Sequence, residues 1–320
     1  MPASENLHNI GSGRRDGELL AYGALANGWG SYSMRRHLFW VIIGVPLALI
    51  VMGAGAALSM PAIRHMISGF WNLPDRLPAL PGNSQVHYQP DAEDFAGDVA
   101  ALLPDAITRV EAVHGRRFAH PVTVGAYATP EAYAAANGLG SDVPVGVTFA
   151  GRVNLSPKLF WPQHRRLAAI LTHELSHAHI HGWIGLTGYI SLPNWFKEGL
   201  AVMVSGGGGA ELVSEEEARA AIQRGEQIAI DDAGSLQNLT DIRFDRAPAK
   251  TTPSWYPIVL AYRQAGMFVN YLRESDRPAF DRMMGAILDG RAFAEAVTVG
   301  YHDNARSLWQ EFTKSNSQQK

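Results

Sequence analysis

The chain has no cysteine among its 320 residues. That excludes disulfides, thiolate metal ligands and cysteine nucleophiles, and leaves the redox compartment open. A basic surplus is also missing: 27 Lys and Arg stand against 30 Asp and Glu, a net charge of −3. With no basic-aromatic stripe to follow a phosphate backbone, nucleic acid is not an expected partner. The run Gly206-Gly207-Gly208-Gly209 lacks the Lys-Ser/Thr that completes a phosphate-binding loop, and is expected to be a mobile loop near a cleft mouth. No internal repeat is present.

What is present is the run His173-Glu174-Leu175-Ser176-His177. On a helix, two histidines four residues apart share a face, so both imidazoles reach one ion and the intervening glutamate faces its open position. Pro162 opens the expected helix and Gly182 stops it. Leu167, Ile170, Leu171, Leu175 and Ala178 recur at helical spacing as a core-facing stripe. Catalytic zinc takes three protein ligands and keeps one position for water. Glu198, in Trp195-Phe196-Lys197-Glu198-Gly199-Leu200-Ala201, is the third candidate. Pro193 and Asn194 start its helix, Trp195 and Phe196 anchor it, and small Gly199 and Ala201 let it pack against the first. His179 and His181 are expected as solvated or supporting groups, because His173, His177 and His181 span about 12 Å along a straight helix and cannot converge.

These segments resemble the gluzincins, zinc metallopeptidases with a glutamate third ligand, in their M1-like and peptidase-MA-like branches. The resemblance spans residues 143–275. It implies one Zn²⁺ per chain held by His173, His177 and Glu198, with Glu174 as general base and a peptide or protein as substrate. It also places a transition-state tyrosine at Tyr262, in Tyr262-Arg263-Gln264-Ala265-Gly266; a buried aromatic is the other reading of that position, and Tyr256 and His302 are substitutes. The longer histidine pattern of the metzincins is absent, with Ile180 and Trp183 at its Gly and His positions. A deformylase-like site would need a cysteine. No GxMxN segment is found, so an endopeptidase is expected and not an aminopeptidase. Val202 and Ser205, past Glu198, leave the partners of the zinc histidines unassigned. The alternating stretch Val145–Leu155 turns at Ala150-Gly151 and suggests a hairpin. On the resemblance, Val153–Ser156 is the edge to which substrate adds, or a strand that merely closes the sheet. A retired scaffold that binds without turnover and a non-peptidase zinc hydrolase are the alternative functions.

Leu38–Met60 carries no charge and follows Arg35-Arg36. Its length exceeds the ~20 residues that cross a bilayer, so a single transmembrane signal anchor is expected, with the N-terminus inside and the catalytic part extracytoplasmic. The expected organisation is a flexible cytoplasmic tail (1–37), the anchor (38–60), a Pro-containing linker with interfacial Phe70 and Trp71 (61–84), and a zincin-like domain (85–320). The fold class is α+β: a transmembrane helix, then a two-lobed domain with a small mixed sheet, the HExxH helix and a helical lobe. Strands are expected at Val86–Tyr88 and Val122–Ala126, with a helix over Asp91–His114 broken or restarted at Pro104. Further helices are expected at 214–224, 257–274, 277–288 and 304–313.

Overall fold

The computed structural model describes residues 59–235 and 241–318, and the described residues from Arg64 onward form one compact unit. It is an α+β structure, and the expected transmembrane helix is not found among the described residues. No helix among the described residues is long and apolar enough to cross a membrane. The tail and positions 38–58 of the expected span lie outside the described residues. The first described helix, α1 (Pro61–Trp71), has 11 residues and includes Arg64 and His65, too short and too polar for a ~30 Å hydrocarbon layer. The stretch expected to be a linker holds α1, a 3₁₀ turn at Pro74–Arg76 and strand β1 (Ala79–Leu80), so the sheet begins at Ala79. Phe70 packs edge-on against Phe149 with ring centroids 4.9 Å apart, and Arg76 lies over Trp71.

Five strands form one mixed sheet: β1, β2 (Asn83–Tyr88), β3 (Val124–Ala126), β4 (Gly146–Phe149) and β5 (Arg152–Leu155), in the order β1-β2-β3-β5-β4. β2, β3 and β5 run parallel, while β1 and β4 are antiparallel to their neighbours. The expected hairpin is β4–β5. Ala150 and Gly151 both take positive φ, 50° and 75°, as a two-residue turn between twisted strands requires. β5 is interior, so Val153–Ser156 is not an edge; the edge beside the following helices is β4.

Helix α2 (Glu93–His114) is unbroken despite Pro104. A mid-helix proline costs ~3 kcal/mol. Phe95, Val99, Leu103 and Val110 are each within 1 % of full burial and return about 2 kcal/mol apiece, which outweighs it. A short helix α3 (Pro130–Ala136) precedes the β hairpin.

Helix α4 (Leu167–Ser191) follows a 3₁₀ turn at His164–Arg166. Every residue from Ile170 to Ile180 is buried, so its apolar stripe is not one wet-dry boundary; the helix is enclosed by α2, the β4–β5 hairpin and α5 (Asn194–Ser205). Gly182 does not stop it. The backbone breaks at Gly185, with φ 66° and ψ −177°, a conformation open in practice to glycine. In α5, Trp195 and Phe196 are buried as expected, but Gly199 serves a different neighbour. A Cβ there would lie 2.6 Å from the Ala265 carbonyl oxygen of α7 (Tyr256–Ser275), so the glycine permits α5–α7 contact.

Helix α6 (Glu215–Gln223) begins with the acidic triplet and is capped by Ser214, consistent with charge opposing the helix dipole. Strands β6 (Gln227–Ile228) and β7 (Phe244–Arg246) pair separately. Helices α8 (Arg277–Leu288), α9 (Phe293–Tyr301) and α10 (Ala305–Gln318) complete the fold. The helices after Glu198 belong to the same packed unit as the sheet, and do not form a second lobe: one hydrophobic core runs from Val86 to Phe312.

Candidate metal centre

α4 and α5 bring three side chains to one point. His173 Nε2 lies 3.1 Å from His177 Nε2, and Glu198 Oε2 lies 3.3 Å from the first and 3.5 Å from the second. A tetrahedron with bonds of about 2.05 Å has edges of about 3.3 Å, so these separations suit three corners of a zinc site. Two imidazoles and a carboxylate match zinc better than calcium or magnesium, which take oxygen sets. The histidines are 4 % and 5 % exposed. Burial opposes charge on His173, but its hydrogen bond to Glu198 and the pull of Glu174 and Glu198 raise its pKa overall. Burial likewise works to raise the Glu198 pKa, and the two histidines hold it well below the usual carboxylate range. A carboxylate facing two imidazole nitrogens is a donor set that suits a divalent ion.

Both histidines have the outer partners the sequence left unassigned. His173 Nδ1 is 2.9 Å from the Gly208 carbonyl oxygen; a carbonyl only accepts, so Nδ1 carries the proton and Nε2 keeps its lone pair for a metal. The four-glycine run is thus a support of the site and not a mobile rim: Gly207 and Gly208 are buried. A Cβ on Gly208 would lie 2.7 Å from the Ala169 carbonyl oxygen, so only glycine allows this approach. Ser205 Oγ accepts from the Gly208 N–H at 2.9 Å and donates to the Val202 carbonyl, which fixes the loop.

His177 Nδ1 is 3.0 Å from the Tyr189 hydroxyl, twelve residues along the chain. An unbroken helix would carry that residue about 18 Å away; the break at Gly185 folds the chain back. Burial, then the charges of Glu198 and Glu174, push the Tyr189 pKa well above the usual phenol value, so it stays protonated. The Lys197 ammonium sits 4.6 Å from the centre of the same ring.

Glu174 is 6 % exposed. Thr148 Oγ1, on edge strand β4, lies 2.8 Å from the Glu174 backbone carbonyl oxygen and 2.9 Å from its Oε2, so its single proton is shared between the two beside the carboxylate. Tyr262 stacks on His173 with ring centroids 6.4 Å apart and planes 12° apart. Burial and the charges of Glu198 and Glu174 raise its pKa strongly, as does its hydrogen bond to Glu198. The two substitutes lie elsewhere: Tyr256 interacts with Glu217 and Arg224, and His302 is the exposed C-cap of α9.

The other histidines of α4 are not ligands in this cluster. His179 is fully buried and not solvated. Its Nε2 donates to the Arg116 carbonyl at 2.9 Å, its Nδ1 accepts from His114 Nδ1 at 2.9 Å, and His114 Nε2 accepts from Ser176 Oγ at 3.1 Å. Burial, then the nearby His179 and His177, put the His114 pKa well below the usual histidine value. Burial also lowers that of His179. His181 is half-buried beside Tyr189. The sequence pointed to the three ligands and Glu174, but not to Tyr189, Gly208, Thr148 or Lys197; a glycine run and an isolated Gly185 were the only traces of the first two.

No protein-family model, curated protein or solved structure matches the chain.

Proposed function

We propose that this protein is a zinc-dependent peptidase, hydrolysing peptide bonds within a chain. The observation that carries the reading is the convergence of His173, His177 and Glu198 at tetrahedral-edge separations, with a buried, oriented carboxylate, Glu174, beside them. The three ligands would hold one zinc ion, which when bound acidifies water and polarises a carbonyl.

The chain's own groups supply the rest. Glu174, with its Oε2 beside the Thr148 hydroxyl, takes a proton from the attacking water and passes it to the departing amine. Tyr262, kept protonated by its surroundings, is the phenol that donates to the developing oxyanion. Peptide as substrate class is supported by β4, which has β5 on one side and no strand on the other among the described residues. Phe149↔Arg152 closes the two-residue hairpin and Ser156 N–H bonds the Val145 carbonyl. By antiparallel alternation, the backbone groups of Gly146 and Thr148 therefore point away from β5, where an extended chain can pair with them. The Thr148 side chain meanwhile reaches Glu174, so one residue ties the docking edge to the base.

The test is Glu174→Gln in the purified protein. Zinc should remain at about one ion per chain while cleavage of an unstructured protein substrate falls by at least about a hundredfold, the scale of a lost general base. Cleavage equal to wild type would sink the mechanism.

A further inference from the structure

Helix α1 is amphipathic, and its two sides are reversed. At about 100° per residue, His65, Ser68, Gly69 and Asn72 fall on one side, and Met66, Ile67, Phe70 and Trp71 on the other. The small and polar side meets the protein. Ser68 Oγ donates to the Ala135 carbonyl at 2.9 Å. Gly69 is buried, and a Cβ there would lie 2.7 Å from the Phe149 ring and 2.9 Å from Gly138 Cα. His65 packs against Gly140. The apolar side faces outward, its four side chains between 39 % and 66 % exposed. A surface helix ordinarily turns its apolar stripe to the core, so leaving this one in water gives up the gain that its burial would bring.

Two observations bear on what covers this face. The first is charge. Arg64 and Arg76 are exposed, and neither is in an ion pair among the described residues; the Arg76 guanidinium lies 5.2 Å from the centre of the Trp71 ring. Between Pro61 and Pro90 the one acid is Asp75, and Arg152 engages it at 2.9 Å. Apolar and aromatic side chains bordered by cations fit the boundary between acyl chains and anionic headgroups. The second is the sequence that leads to α1. Positions 38–58 contain no charged residue, so the apolar face adjoins an apolar stretch of the same chain. A second copy of the protein fits less well: four partly exposed side chains fall short of the about 800 Å² per partner that a stable dimer buries, and the arginines of the two copies would repel.

We infer that α1 docks on an anionic lipid surface, with Met66, Ile67, Phe70 and Trp71 at the headgroup–acyl boundary and Arg64 and Arg76 among the phosphates. Its 11 residues lie along the surface and do not cross the bilayer. Phe70 also packs on Phe149, at the end of β4, so docking brings that end of the sheet edge to the lipid. The assignment is independent of the metal centre.

Because the chain has no cysteine, a single introduced thiol reports on a single site. An environment-sensitive fluorophore is attached to the purified full chain carrying Ile67→Cys, Trp71→Cys or, on the exposed surface of α10, Gln310→Cys. Vesicles contain phosphatidylcholine and phosphatidylglycerol, with a spin label on the acyl chains where quenching is read. The expected result is a blue shift and acyl-chain quenching at 67 and 71, with a several-fold loss of access to aqueous iodide, and none of these at 310. Chain that binds the vesicles while 67 and 71 stay open to iodide is held by another part of the sequence, and overturns the inference. So does a chain that does not bind, or equal quenching at 310. Shielding of 67 and 71 without lipid also overturns it: if it grows with protein concentration the occupant is a second copy, and if it does not the occupant is the chain's own apolar stretch.

Discussion

Replacing Tyr189 by Phe removes a single oxygen, and the structure says where the loss should appear. In the metal-free protein, His177 can carry its proton on either ring nitrogen. Metal on Nε2 removes that freedom and forces the proton onto Nδ1, whose partner is the Tyr189 oxygen at 3.0 Å. Without that oxygen a buried N–H is left unpaired, at a cost of about 1–3 kcal/mol. Outer partners of metal histidines are worth about 10- to 100-fold in affinity, or about 1.4–2.7 kcal/mol, so the two routes agree. The penalty falls on the metal-bound state, because the metal-free state avoids it by changing tautomer. The phenyl ring still fills its space and still lies beneath Lys197, so metal-free stability should change by no more than about 0.5 kcal/mol. The assay is competition for zinc against a chromophoric chelator, alongside urea denaturation of the metal-free protein. An unchanged zinc affinity would refute the reasoning. A stability loss as large as the affinity loss would show that the hydroxyl is structural and does not orient His177.

Two further outcomes follow from the site's surroundings. Gly208→Ala places a Cβ 2.7 Å from the Ala169 carbonyl oxygen and 2.9 Å from Ser205 Oγ; the loop must move, the Gly208 carbonyl leaves His173, and zinc affinity should drop by at least about tenfold in the same chelator competition. The second concerns acid. His114 and His179 have pKa values below the ordinary 6.5, so their stabilising contribution is complete above about 6.5 and is lost as pH falls towards their folded values. His173, raised, contributes with the opposite sign, which is why the comparison is made against His114→Gln. Below about pH 6.5 the wild type should lose stability more steeply than that variant, by up to about 1.4 kcal/mol per pH unit. Equal slopes in urea denaturation would reject the neutral, buried assignment of His114.

Local chemistry carried the first part of the site. His173, Glu174 and His177 are legible because their spacing is a property of one helix turn, and Glu198 because its flanking aromatics and small residues describe a packed helix. Their supports are not legible in that way. Gly208 acts through a carbonyl that every residue possesses, and its glycine is required only because Ala169 lies behind it. Tyr189 depends on a reversal at Gly185, and a lone glycine in an apolar helix gives no sign of whether the chain bends there. The edge assignment failed for a topological reason: β5 follows β4 in sequence but inserts between β4 and β3, a choice set by the parallel pairing of β3 with β5. Pro104 misled because propensity counts the lost hydrogen bond and cannot count the core face that α2 buries.

The partners of the two histidines also bear on reactivity under the peptidase reading. A carboxylate on Nδ1 draws the proton away and makes the imidazole a stronger donor to the ion. Here one partner is a peptide carbonyl and the other a phenol held protonated by burial and by Glu198, so neither pushes electron density onto the ligands as a carboxylate would. Glu198 is then the one anionic ligand among the three, and the Lys197 ammonium lies over the Tyr189 ring. Weaker donors leave more positive charge on the ion. That lowers affinity, but it strengthens the pull on a carbonyl oxygen and on the acidity of water. A neutral outer shell is therefore consistent with a hydrolytic centre and is less suited to a purely structural one, whose need is retention of the metal.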